Sequence, residues 1–168
     1  MSNIPDSGLR TEFPSGAVRD RHVGKGRCDL LPLDTIGDMT TWNEFFAIVN
    51  FQTTGKASDL RDALTRFSRN IGKIKSPIKD TTEDNFADLL LSVAHRFEDG
   101  AIKYGDNNWR KGIPCSCYID SAVRHYLKWR RGDTDENHAD AFAWNILCCI
   151  WTAQNMPELN EYAKGVQK

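Results

Sequence analysis

Apolar residues along this chain recur mostly at three- and four-residue steps, the spacing that turns one face of an α-helix toward a core. Thr41-Trp42-Asn43-Glu44 fits a capping box and predicts a helix from Trp42 to about Phe51, interrupted at Gly55. Ser58 is placed to cap a second helix, whose apolar face is Leu60, Leu64, Phe67 and Ile71 and which Gly72 should stop. Ile74 to Lys79, around Pro77, reads as a linker. Thr81 or Thr82 starts a third helix with the stripe Phe86, Leu90, Val93, Phe97 and Ala101, and Glu98 lies at the boundary of that stripe. Its exit is Lys103-Tyr104-Gly105, with Gly105 as the left-handed residue. A loop through Gly112 and Pro114 leads to a fourth helix from near Ser116, which turns Ile119, Val123, Tyr126 and Leu127 inward. The last helix is expected from about Asp135 to Pro157, burying Ala139, Phe142, Ala143, Ile146 and Ile150. No segment reads as a convincing strand, so the expected class is all-α.

A chain of 168 residues is long enough for one domain with a core that needs no staples. The net charge of -1 gives no global pull toward nucleic acid or an anionic membrane, so phosphate chemistry must come from local patches. A nucleic-acid role would have to rest on Arg61, Arg66, Arg69, Arg130 and Arg131, and no recognised binding motif accompanies them; no nucleic-acid partner is expected. No apolar run approaches the roughly 18 residues of a membrane helix, and Met1 to Arg10 is polar, which together predict a cytoplasmic protein with no membrane partner. The cysteines at 28, 115, 117, 148 and 149 do not match zinc-knuckle gaps and read as reduced thiols, with Cys148 and Cys149 in a helix core.

Candidate chemistry is concentrated between Glu98 and Asn145. On a helix beginning at Asp135, the residues Asp135, His138 and Asn145 would share one broad face, with Glu136 adjacent. Glu98 from a neighbouring helix would complete an oxygen-rich cage suited to Mg²⁺ or Mn²⁺, making Glu98, Asp135, Glu136 and His138 the candidate catalytic and metal-binding residues. The plainer alternative is that Asp135 and Glu136 only satisfy a helix N-terminus and its dipole. Arg124 and Lys128, one turn apart, suit a polyphosphate clamp oriented by Asp120, or else an ordinary intrahelical ion pair on a wet surface. His125 is a phosphate donor or a satisfied core histidine, and Trp109 stacks on a base or caps the core. Lys25 and Arg27, in Gly24-Lys25-Gly26-Arg27, are placed to meet phosphate oxygens or to form a solvated basic loop; this is not a Walker loop.

Taken in order, Gly16-Ala17-Val18-Arg19-Asp20, Gly24-Lys25-Gly26-Arg27, Asp29-Leu30-Leu31, Gly100 with Lys103-Tyr104-Gly105, Asn108-Trp109, Lys111-Gly112, Asp120-Ser121-Ala122, Arg124-His125 and His138 to Trp144-Asn145 make an ordered set. That set resembles the phage-associated dATP/dGTP diphosphohydrolases, a MazG-like branch of the all-α nucleoside triphosphate pyrophosphohydrolases. The resemblance implies metal-dependent hydrolysis of a purine deoxynucleoside triphosphate to the monophosphate and pyrophosphate, by a homo-oligomer, dimer or tetramer. On this reading Lys25, Arg27, Arg124 and Lys128 hold phosphates, Asn108 and Trp109 contact base or sugar, and Lys103, His125 and Asn145 complete the substrate-binding set. A single domain would comprise an N-terminal nucleotide-contacting segment (1–32), a helical insertion (33–85) serving as an oligomer contact or lid, and a catalytic helical core (86–157). Two features depart from the better-known MazG pattern. Glu98-Asp99 is followed by Ala101 and Ile102 rather than by a third glutamate, and the later helix offers Asp135-x-x-His138 in place of Glu-x-x-Asp. A non-catalytic nucleotide sensor or helical adaptor on the same scaffold is the alternative.

Overall fold

The computed structural model describes residues 9–20, 28, 31–32, 35, 42–75 and 82–163. The Gly24-Lys25-Gly26-Arg27 loop, Leu30 and the linker around Pro77 lie outside the described residues. Among the described residues five helices pack together: α1 (Asn43–Thr54), α2 (Ala57–Lys75), α3 (Thr82–Tyr104), α4 (Cys115–Arg131) and α5 (His138–Asn155). Among the described residues no helix is long and apolar enough to cross a membrane.

Three helix ends follow directly from glycine. Gly55, Gly105 and Gly132 adopt φ of 66°, 87° and 86°, a left-handed conformation that costs glycine nothing, and end α1, α3 and α4. Gly55 has a second reason to lack a side chain, because a Cβ there would lie 2.6 Å from the Cα of Ala163. The chain after α5 therefore closes onto the α1–α2 corner, where Asn160 Nδ2 donates to the Gly55 carbonyl at 2.8 Å and Tyr162 packs 5.3 Å from Phe51.

Helix α5 is the common neighbour of α2, α3 and α4, and α1 packs on α2. The main core is aromatic. Phe67 lies 4.3 Å from Phe142 and 4.8 Å from Trp129, and Phe45 lies 5.2 Å from Tyr126. Residues 43–75 thus contribute Phe45, Ile48, Phe51, Leu60, Leu64 and Phe67 to the same buried cluster as α4 and α5. Cys148 and Cys149 are buried there as expected.

Five local readings need correction. The carboxylate of Glu44 does not turn back to cap α1, whose N-cap is Trp42 with no side-chain bond. It points into the core, accepting from Asn70 Nδ2 at 2.5 Å and from the Tyr126 hydroxyl at 3.0 Å. Helix α2 continues through Gly72 to Lys75, since a helical glycine costs only about 1 kcal/mol against a well-packed face. The buried stripe of α3 keeps Val93 and, in part, Phe97, but adds Leu89 and Arg96, while Leu90, expected inside, is exposed. Helix α5 begins at His138 rather than Asp135, because Asn137 is the cap, its side chain accepting from the Asp140 amide. Asp135 and Glu136 therefore precede the helix and do not share its face.

The fifth correction is a small β-hairpin that the sequence did not announce. Strands β1 (Arg10–Glu12) and β2 (Val18–Asp20) pair antiparallel, Thr11 opposite Arg19, around a turn at Gly16 with φ 76°. Three-residue strands are too short to show a period of two.

Glu44 is a buried carboxylate held by two neutral donors, so Tyr126→Phe should leave it short of a partner. The expected loss is about 1–3 kcal/mol in urea denaturation at neutral pH. A melt superimposable on wild type would show that the Tyr126 hydroxyl contributes nothing.

Candidate functional site

A cleft of ≈ 920 Å³ opens between β2, the second half of α3, the following 3₁₀ turn (Asn108–Lys111) and the facing sides of α4 and α5. One wall is the hairpin strand, and three side chains expected to touch substrate are the ones that secure it. Asn108 accepts from the Val18 amide at 3.1 Å and donates to the Val18 carbonyl at 2.9 Å, using both ends of its amide. Lys103 Nζ and the Tyr104 hydroxyl donate to Asp20 at 3.0 and 2.7 Å. Burial opposes the Lys103 charge, but those hydrogen bonds outweigh it and hold its pKa above the ordinary value. Asn145 accepts from Arg19 Nη2 at 2.6 Å and donates to the Ala141 carbonyl at 2.7 Å. The Arg19 guanidinium also sits 5.1 Å from the Tyr118 ring centroid, a cation–π distance.

Trp109 caps the core, packing 5.4 Å from Phe97 and 5.2 Å from Trp151, while it also lines the cleft. With Phe97, Tyr104 and Trp144 it makes one end of the cleft aromatic.

The other end is ionic. Arg124 Nη2 binds Asp120 Oδ2 at 2.5 Å, and Asp120 is buried, its second oxygen accepting from the Cys28 amide at 2.6 Å. The pair is therefore not a wet surface stripe. Lys128 Nζ holds Asp135 Oδ2 at 2.9 Å. Asp135 Oδ1 faces His138 Nε2 at 2.8 Å, and the hydrogen bonds from Lys128 and His138 keep its carboxyl well below the usual range. Glu136 Oε2 meets Arg96 Nη2 at 2.9 Å, and the same nitrogen donates to the Asn137 carbonyl at 2.8 Å.

At the centre of this end are two histidines. His125 Nδ1 and His138 Nδ1 are 3.0 Å apart, and Glu136 Oε1 lies 3.6 Å from the first and 3.7 Å from the second. Burial, reinforced by the positive charges of Arg96, Arg124 and Arg19 and by the His138 ring beside it, pushes the His125 pKa down to about 2. His125 is therefore a neutral imidazole with a lone pair to offer. Among the described residues, two groups could hold a metal ion: His125, Glu136 and His138, or Asp133, Asp135 and His138.

Glu98, expected in the same cage, is placed elsewhere. It lines the cleft from an exposed position and sits 3.5 Å from His95 on the outer face of α3. Lys25 and Arg27 lie outside the described residues. Three residues of the site were not assigned from sequence: Arg19, Asp20 and Arg96. Arg19 and Asp20 stand inside the Gly16–Asp20 motif, and Arg96 could have been noticed as a cation three residues past Val93 on a buried stripe. Its partner Glu136 is 40 residues away, which no local pattern reports.

Residues 68–162 match the family model of the dATP/dGTP diphosphohydrolase N-terminal domain. No curated protein matches the chain, and no solved structure does. The matched span runs from within α2 to the segment after α5 and includes Arg96, Arg124, His125, Glu136 and His138. With more than half of its 168 residues matched, the chain belongs to the dATP/dGTP diphosphohydrolase N-terminal-domain family.

Proposed function

We propose that the chain hydrolyses purine deoxynucleoside triphosphates to the monophosphate and pyrophosphate with a divalent metal, in the cleft between β2, α3, α4 and α5. The observation that carries this reading is the joining, in a member of this family, of an aromatic end to an ionic end. At the ionic end Arg96, Arg124 and Lys128 surround two histidines and a carboxylate. The cleft volume of ≈ 920 Å³ suits a nucleotide-sized ligand. Stacking on Trp109 and Trp144 favours the base at the aromatic end, leaving the phosphates against the guanidiniums.

The residues present fit a metal ion. The Nδ1 atoms of His125 and His138 and Oε1 of Glu136 form a triangle with edges of 3.0, 3.6 and 3.7 Å, the spacing of neighbouring ligands around an ion bonded at about 2.0–2.2 Å. His138 turns its other nitrogen to Asp135, as ligand histidines usually do. Two nitrogens and one oxygen suit Mn²⁺ better than Mg²⁺, which prefers an all-oxygen shell. Held there, the ion would supply Lewis acidity to the phosphoryl centre. Arg124, oriented by Asp120, and Lys128 neutralise phosphate oxygens, and Arg96 fixes Glu136 with Oε1 toward the histidines. His125 stays neutral because burial and three guanidiniums disfavour its cation.

One observation favours the non-catalytic sensor as second reading: Asp135 and Glu136 are already compensated by Lys128 and Arg96. Incubating the purified chain with each dNTP and NTP under Mg²⁺, Mn²⁺ or EDTA, and resolving products by ion exchange, separates the two. dAMP or dGMP with pyrophosphate is expected; tight binding without turnover would establish the sensor.

Arg124→Ala should lower kcat/KM about ten- to a hundredfold, from loss of a charge-assisted contact worth about 1.5–3 kcal/mol, and Arg124→Lys should recover part of it. Unchanged kcat/KM in Arg124→Ala would remove Arg124 from the phosphate site. His138→Gln should abolish the thermal shift produced by Mn²⁺, and an undiminished shift would place the ion elsewhere. Stability should also depend on pH through His125. Its native pKa is about 2 against about 6.5 unfolded, so below that value the unfolded chain takes up a proton that the native chain refuses. In EDTA, the urea midpoint should fall from pH 7 to pH 5, and His125→Asn should flatten that slope; an equal slope in the variant would refute the assignment.

A further inference from the structure

The face of α4 that lines the cleft carries Ser121, Arg124, His125 and Lys128, stacked on one side of the helix by three- and four-residue steps. Three of these belong to the ionic end, and Ser121 does not. It is only 6% exposed, yet among the described residues its hydroxyl has no hydrogen-bond partner. Other helical hydroxyls find one. Thr53 and Ser68 donate back to the carbonyls of Val49 and Thr65 at 3.0 and 2.9 Å, and Ser92 donates to Asp140 at 2.6 Å. Thr152 Oγ1 also lacks a partner, but it is sealed in the core, whereas the Ser121 oxygen retains surface on the cleft. Leaving a buried hydroxyl unpaired is costly, and one that faces a cavity rather than a carbonyl one turn back is placed for a ligand.

Helices α4 and α5 run antiparallel, and their contacts fix the level of Ser121 along the cleft. His125 meets His138 at the ionic end, and Tyr118 meets Trp144 at the aromatic end, with ring centroids 6.0 Å apart. Ser121 lies between them, three residues past Tyr118 and four before His125, which is about 4.5 and 6 Å along the axis. On α5, Ala141 lines the cleft between His138 and Trp144 and brings no polar side chain. Asn145 is already occupied by Arg19 and the Ala141 carbonyl. The Ser121 hydroxyl is thus what this junction of the α4–α5 wall presents to a ligand.

The identity of that ligand group rests on the nucleotide reading of the cleft, with phosphates at the ionic end and the base against Trp109 and Trp144. The sugar then spans the junction. A deoxyribose carries one free hydroxyl, at C3′, and a serine hydroxyl can donate to it or accept from it. We propose that Ser121 reads the sugar, its hydroxyl pairing with the 3′-hydroxyl of the nucleotide, so that the site selects against 2′,3′-dideoxynucleotides.

Equilibrium binding tests this without turnover. The probes are the α,β-imido analogue of dGTP, whose bridging nitrogen blocks release of pyrophosphate, and the same analogue of 2′,3′-dideoxy-GTP, each titrated calorimetrically in Mn²⁺. The wild-type chain should bind the 3′-hydroxyl analogue about three- to tenfold more tightly, the range for one neutral hydrogen bond. Ser121→Ala should bring that ratio to about one by weakening the 3′-hydroxyl analogue alone, which a general loosening of the helix would not do. Without nucleotide, the thermal midpoint of Ser121→Ala should be no lower than that of wild type, because the hydroxyl it removes has no partner within the protein. A lower midpoint overturns the proposal. Equal wild-type affinity for the two analogues overturns it while leaving the nucleotide reading in place, and so does a variant that weakens both alike or keeps the wild-type ratio. The expected ratios in a chain that fails to hydrolyse dGTP would sink the catalytic reading and leave the role of Ser121 intact. A chain that binds neither analogue overturns both.

Discussion

The contact on which most of the site depends is the ion pair between Arg96 and Glu136. Arg96 is almost wholly buried and Glu136 nearly so, at 7% and 12% exposure, and the arginine also donates to the Asn137 carbonyl. Removing one partner from such a pair typically costs about 3–5 kcal/mol, since the other charge is left buried and uncompensated. The pair therefore fixes the rotation of α3 about its own axis. With Arg96 inside, Leu89 and Val93 turn to the core while Glu98, Leu91 and Ile102 turn outward. The same bond fixes Glu136, directing its free oxygen to the histidines and holding the loop that delivers His138 to the start of α5.

Around that pair the polar groups are arranged in pairs of opposite charge, which limits what each can do. Asp120 orients Arg124, Lys128 holds Asp135, and Asp135 orients His138. A cation with its own carboxylate partner remains able to bind phosphate, because a guanidinium has five donors and one bidentate contact uses two at most. The hairpin wall follows the same economy of polar groups. Asn108, Lys103 and Asn145 meet the backbone or side chains of Val18, Asp20 and Arg19, so strand β2 is a fitted part of the cleft although it is only three residues long.

The helices themselves were legible before any coordinates. Period 3.6 in the apolar residues locates all five to within a few residues, with Gly55 and Gly105 marking two ends and Gly72 marking one too early. Arg124, His125, Glu136 and His138 were each singled out from sequence, but the metal cage was expected from Glu98, Asp135, Glu136 and His138, and only the fold sets His125 beside His138 and Glu136. Less visible were features that depend on two distant segments at once. Glu44 carries a capping-box spacing, yet Tyr126 and Asn70 draw its carboxylate into the core. Asp135 sits at a helix-like spacing from His138, yet Asn137 caps the helix and leaves Asp135 before it.

By itself, then, the sequence determined the class of fold, the approximate spans of the helices and the family to which residues 68–162 belong. Only the tertiary structure decided which way α3 faces, that Arg96 is interior and Glu98 is not, and that a hairpin strand forms one wall. The physical reason is angular. One residue is about 100° of helix, so an apolar stripe specifies a buried face only to within a single position. Choosing between adjacent positions takes an ion pair or a hydrogen bond from a segment tens of residues away, as Glu136 supplies for Arg96 and Asn108 for Val18.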